Sequence, residues 1–318
     1  MWILLAFVSA TLLGLYDTSK KFSLRGNDVI PVLFLNTLFC SAIFLPLILL
    51  SQYTHVLDSS IFHVGTGGWE MHRWIILKSV IVLLSWVFGY FAIAQLPLTI
   101  VGPINATRPV MTLVGAMLVF GERLNAWQWV GVSLAIISLF LLARSGKREG
   151  IDFKHNKWIF FLVLAAMMGT CSGLLDKYLM ASPENGGVGL DRMMAQSWYN
   201  IYQCIMMGVV LLVYIFNQRK KAERTAHFSW KWSILLISIF LSMADFAYFY
   251  ELSLPDAMIS IVSMVRRGSV LVSFLCGALL FREKNLKAKI LPVIIIHSIN
   301  IITNVIRKAL ILLFFLLL

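Results

Sequence analysis

Apolar residues run through this chain in blocks of about twenty, the length needed to cross the hydrocarbon of a bilayer, with short polar stretches between them. The pattern predicts spans near 2–22, 29–50, 74–95, 98–120, 126–144, 158–180, 193–216, 232–254, 257–281 and 288–306. Backbone in lipid must satisfy its own hydrogen bonds, so these blocks are expected to be helices. The expected fold is therefore all-α and integral to the membrane, with ten transmembrane helices. Connections are short except 51–73, which holds Gly65-Thr66-Gly67-Gly68 and three histidines, His55, His63 and His72, without metal-site spacing. Met1-Trp2 leads straight into the first block with no charged leader or cleavage site, so it reads as a span and not a signal peptide.

The pattern also repeats. Leu96-Pro97 opens span four and Leu254-Pro255 stands before span nine, with Arg108 and Arg266 each eleven residues after the proline. Phe120-Gly121-Glu122-Arg123 echoes Phe281-Arg282-Glu283-Lys284. Two five-helix halves follow, residues 1–145 and 155–306, with an atypical apolar tail at 307–318. Because five is odd, the second half enters the membrane from the opposite side. Such an inverted repeat places a binding site where the halves meet.

Composition agrees with a membrane solvent. The 318 residues are 59% hydrophobic and 13% charged, with a mean hydropathy of +0.84, which leaves too little polar surface to cover a soluble core. A formal charge of +12 would point to nucleic acid in a soluble protein. Here the cations fall between apolar blocks, where they act as topology signals and headgroup contacts, and no nucleic-acid partner is expected. After the odd-numbered spans come Lys20, Lys21 and Arg25, then Arg144 to Lys157, Arg219 to Lys231, and Arg282 to Lys289; the other side holds only Arg73, Lys78, Arg123 and Arg192. The positive-inside rule then puts the N-terminus outside, in a multi-pass plasma (inner) membrane protein. Cys40, Cys171, Cys204 and Cys276 each stand alone in an apolar block, which supports neither a disulfide nor a zinc site. No metal or cofactor is expected.

The run Leu96-Pro97-Leu98-Thr99-Ile100-Val101-Gly102-Pro103, with Gly121-Glu122-Arg123-Leu124 closing the hairpin and Gly131 in the next span, resembles the drug/metabolite transporter superfamily of EamA type, as does Phe281-Arg282-Glu283-Lys284. The resemblance covers the chain from the first span to about residue 287. It implies two inverted five-helix repeats and alternating access driven by a gradient or by exchange. The segment from Lys289 to Leu318, with Pro292, His297, Asn300, Asn304 and Arg307-Lys308, departs from the family's usual glycine-containing last span.

Candidate chemistry lies at bilayer depth, where a charge costs about 2.5–3.5 kcal/mol on insertion scales and so has a partner or a function. Arg108 lies about 16 Å along its helix from Pro97 at roughly 1.5 Å per residue, near the middle of the hydrocarbon, and Arg266 and Arg267 lie at matching depth in span nine. Gly102, Asn105, Arg108, Thr112 and Gly115 share one helix face, and Ser260, Ser263 and Arg266 or Arg267 form a similar stripe. Gln196, Asn200 and Gln203 make a polar stripe on span seven. Guanidinium forks match paired carboxylate or phosphate oxygens, so the expected substrate is a small anionic or partly anionic metabolite. One cation on span four and a pair on span nine also resemble the triose-phosphate and sugar-phosphate exchangers of this superfamily, where the matching cations bind phosphate.

The alternative is structural: a buried acid, Asp17, Asp176, Asp245 or Glu251, neutralises an arginine and fixes packing. Asp245 is the proton-coupling candidate, with a salt bridge to Arg266 or Arg267 as its other reading. Asp17 with Lys20 and Lys21, and Asp176 with Lys177, read as local pairs. Trp86 and Tyr90 are deep enough to wall a cavity or to pack. The favoured function is a secondary active transporter, whether exporter, importer or exchanger, including a proton-coupled exporter of amino acids or drug-like compounds, with homodimer formation open. A membrane-embedded enzyme is the other class, but HExxH, GxSxG, P-loop and paired catalytic carboxylates are all absent from the sequence. A non-transporting sensor is disfavoured by the lack of a sizeable soluble domain.

Overall fold

The computed structural model describes residues 2–105, 107–120, 129, 133, 156–220, 228–252, 262, 265–266 and 268–280. Among them the secondary structure is helical, without strands. The helices are α1 (Trp2–Leu24), α2 (Val29–Tyr53), α3 (Trp69–Gln95), α4 (Leu98–Asn105), α5 (Arg108–Phe120), α6 (Lys157–Met180), α7 (Arg192–Lys220), α8 (Trp232–Leu252) and α9 (Ser269–Leu280), with a 3-10 turn at Pro183–Asn185. Among the described residues five stretches are long and apolar enough to cross a membrane: Val29–Tyr53, Trp69–Gln95, Lys157–Met180, Arg192–Asn217 and Trp232–Glu251. Predicted spans five and ten, and the tail 307–318, lie outside the described residues apart from Trp129 and Ser133.

Local chemistry explains most helix ends. Gly26, at φ +77°, turns the chain between α1 and α2, a left-handed conformation that glycine adopts without a Cβ penalty. Beside it the Asn27 amide donates to the Ser23 carbonyl at 2.9 Å. Asn156 caps α6, its side chain accepting from the Trp158 N–H at 2.9 Å, and the Asp191 carboxylate accepts from the Met194 N–H at 2.7 Å at the start of α7. Leu96 is extended, as a residue before proline prefers, and ends α3. The bared carbonyls of Ile93 and Leu96 accept from Lys21 Nζ at 2.7 and 2.8 Å, where a cation also suits the helix dipole.

The predicted continuous helix over 98–120 is broken. α4 ends at Asn105, Thr107 sits in a turn, and α5 begins at Arg108. Proline has no N–H to give a carbonyl four residues back, so Pro109 leaves that of Asn105 without its helical partner. The Thr107 hydroxyl turns back on the last turn of α4 and donates to the Ile104 carbonyl at 2.7 Å. The equivalent stretch before α9 also turns, at Gly268, whose N–H donates to the Val265 carbonyl at 2.8 Å.

α1 packs between α8 and α9, and α6 packs between α3 and the α4–α5 pair. α2 lies against α7 and α8, and α7 against α2 and α3. Exchanging α1 with α6, α2 with α7, α3 with α8 and α4–α5 with α9 maps these main neighbours onto themselves. Oil gives no hydrophobic drive for such packing, so small and polar side chains hold it. Ser9 donates to the Ala244 carbonyl, Ser85 to that of Ala165 and Ser41 to that of Asn200, each at 2.8 Å. Gly14 and Gly115 bring α1 against Val272 and α5 against Leu174, where any Cβ would lie within 2.5 Å of a neighbour.

Two apolar clusters divide the bundle by depth. One gathers Leu33, Tyr90, Ile93, Leu162 and Ile237 where α2, α6 and α8 begin. The other gathers Phe44, Ile75, Leu179, Met193 and Phe249 where those helices end. Lys20 and Lys21, read from the sequence as loop cations, lie within α1, and Lys78 lies within α3, 2% exposed. None of the three is a loop charge, because each has a partner inside the bundle.

Candidate functional site

Between the two apolar clusters is a cavity of about 180 Å³. α1, α3, the α4–α5 break, α6, α7, α8 and the start of α9 all contribute to its wall. Aromatic rings line it, among them Trp86 and Tyr90, and seven ionisable residues of formal charge face the same space: Asp17, Lys20, Lys78, Arg108, Asp176, Asp245 and Arg266.

Six of these are paired. Lys20 binds Asp17 at 2.8 Å and lies 4.1 and 5.0 Å from the ring centroids of Tyr16 and Tyr90. Lys78 on α3 binds Asp176 on α6 across the two halves of the chain, over the rings of Phe249 and Tyr199 at 4.7 and 5.2 Å. Arg266 binds Asp245, donates through Nε to the Ser9 hydroxyl at 3.0 Å, and lies 4.0 Å from the Tyr248 ring centroid. Tyr199 donates its hydroxyl to the other oxygen of Asp245 at 2.7 Å. Ring faces attract cations, so each pair is held by charge and by an aromatic wall.

Arg108 differs. Its guanidinium donates through Nη2 to the Ala165 carbonyl at 3.2 Å, its Nε is buried without a partner, and among the described residues no carboxylate pairs with it. Gly169 makes room for it: a Cβ there would stand 2.6 Å from Nη1. Three residues before, the side-chain Oδ1 of Asn105 is buried with no hydrogen bond. A planar fork of N–H donors with one bond made offers the rest to an anion.

Of the residues singled out in the sequence, Asn105, Arg108, Thr112, Arg266 and Asp245 line this one cavity. Gln196, Asn200 and Gln203 do not; they are buried on α7, Gln196 donating to the Ser242 carbonyl at 3.1 Å and Asn200 to that of Gln196 at 2.8 Å. Ser263 and Arg267 lie outside the described residues. Glu251 is fully buried near the end of α8 and is not among the lining residues, with neither carboxyl oxygen hydrogen-bonded. Asp176 pairs with Lys78 rather than making the local pair expected with Lys177.

Asp17, Lys20, Lys78 and Asp176 were missed as cavity residues. One signal pointed to the acids: Gly14-Leu15-Tyr16-Asp17 in α1 recurs as Gly173-Leu174-Leu175-Asp176 in α6. The two helices exchange places in the packing pattern.

No curated protein matches the chain. Among the solved structures it resembles, one titled "Crystal structure of protein" is 11% identical, with a TM-score of 0.66 over 96% of this chain and 98% of that one. At that identity the likeness concerns the fold alone. The model of the EamA-like transporter family matches residues 1–144. By that match the first 144 residues are similar to EamA-like transporters, consistent with the drug/metabolite transporter superfamily.

Proposed function

We propose that the protein is a secondary active transporter that moves a small, polar, anionic metabolite across the plasma membrane by alternating access. The observation that carries this reading is Arg108, a guanidinium without a carboxylate partner among the described residues, facing a cavity between two apolar clusters. A charge in such surroundings is expensive unless it is compensated, and a bound anion supplies the compensation. Arg266, held by Asp245, lines the same cavity, as do the polar residues Asn105 and Thr112. The exchange pattern in the packing supports two inverted five-helix halves, 1–145 and 155–306, rocking about the site. The broken helix at Asn105 to Arg108 supports it too, since discontinuous helices expose backbone polar groups at a cavity.

Uptake into proteoliposomes tests the proposal with a panel of labelled organic anions. Saturable flux, accelerated by anion on the opposite side, is expected from the wild type and is lost in Arg108→Gln. Gly169→Ala, which crowds Nη1, is expected to raise the half-saturation concentration about tenfold, equivalent to roughly 1.4 kcal/mol. Product formation without flux would assign the protein to the enzymes instead.

A further inference from the structure

The cavity's charges can be counted. Among the described residues its wall carries four cations and three carboxylates, and three ion pairs use up every carboxylate. The surplus is one positive charge, and it resides on Arg108. Resting on the anion-transport reading above, we infer that the solute is a monoanion: the cavity is matched to one negative charge, and dianions of equal size are excluded by charge.

The physical reason is the surroundings. Members of both apolar clusters line the cavity, among them Tyr90 and Leu162 of one and Tyr248 and Phe249 of the other, so uncompensated charge is weakly screened and disfavoured. A monoanion on Arg108 brings the count to zero with all three pairs intact. A dianion leaves one surplus negative charge, and opening a pair would not cancel it, because the freed carboxylate stays in the wall. The pairs are also held in place. Lys78 and Asp176 are buried at 2% and 4% exposure. Arg266 is held at once by Asp245, Ser9 and the Tyr248 ring, and Asp245 is held also by Tyr199. Lys20 sits between Asp17 and two tyrosine rings. The rule concerns net charge, so it applies alike to a carboxylate and to a phosphate diester.

The test measures ligand-induced thermal stabilisation of the purified full-length protein at about pH 8, where a phosphate monoester with its second pKa near 6 is almost wholly dianionic, with two size-matched pairs of probes. Butyrate is set against succinate, and dimethyl phosphate against methyl phosphate; in each pair the second carries the extra charge. The wild type is expected to favour the monoanion of each pair by about tenfold or more in apparent dissociation constant. Arg108→Gln is expected to abolish both responses. Asp245→Asn raises the cavity's surplus to two by freeing Arg266, and the preference should pass to the dianions. Asp176→Asn makes the same change through Lys78 at another place in the bundle, so the outcome does not depend on one variant folding. If the wild type prefers dianions, or ignores charge, while Arg108→Gln still removes the response, the monoanion rule is wrong and the anion site at Arg108 stands. If no probe acts, or Arg108→Gln changes nothing, both fall.

Discussion

Lys78 and Arg108 are both cations deep in an apolar bundle, yet their surroundings assign them different work. Lys78 is sealed against Asp176 under Phe249, so its charge is spent on joining α3 to α6. Arg108 has one carbonyl and an open side. The difference is measurable in stability. Removing one partner of a buried pair strands the other charge, so Lys78→Met alone is expected to cost about 3–5 kcal/mol. Lys78→Met with Asp176→Leu is expected to be close to neutral, because two desolvated charges leave together. Thermal unfolding of the three proteins in one detergent checks this; equal losses in the single and double variants would contradict it.

At the scale of elements, helix ends follow from single residues. The α1–α2 turn needs Gly26 in the left-handed region, and no atom lies within 4 Å of where its Cβ would be. Gly26→Ala is therefore expected to cost only the backbone term, about 1 kcal/mol, with transport unchanged once the protein is in the membrane. A denaturation curve gives the first quantity and uptake the second. The break between α4 and α5 is a different kind of end. The apolar periodicity of 98–120 continues through it, and only Pro109 announces it. Hydropathy reports the solvent of a segment and says little about whether its hydrogen-bond ladder is whole.

At the scale of the molecule, the outward faces carry the apolar residues that a soluble protein would bury. Leu212 on α7 is 58% exposed and Val56, in the connection after α2, is 74% exposed, but the two positions face different solvents on the membrane reading. Leu212→Arg is expected to cost about 2.5–3.5 kcal/mol of insertion and to deplete the protein from the membrane fraction. Val56→Arg, outside the hydrocarbon, is expected to leave that fraction unchanged. Quantitative immunoblotting of membranes separates the outcomes, and equal sensitivity would refute the span assignment of α7. The neighbour exchange that relates α1 to α6 and α3 to α8 also belongs to this scale, since it is a property of packing and not of any one helix.

The sequence by itself determined the solvent and the helical class, because each depends on local quantities: the length of an apolar block and the need of backbone in oil to bond to itself. Which acid meets which cation was decided only by tertiary structure. Asp176 has Lys177 next to it in the chain and Lys78 against it in the fold. Asp245 meets Arg266 and Tyr199 from two other segments. An ion pair is fixed by distances in space across a weakly screening interior, and helices far apart in the chain set those distances. Among the described residues Arg108 lacks such a partner for the same reason. Gly169, Ala165 and the α4–α5 break turn its guanidinium towards a cavity that no stretch of sequence contains on its own.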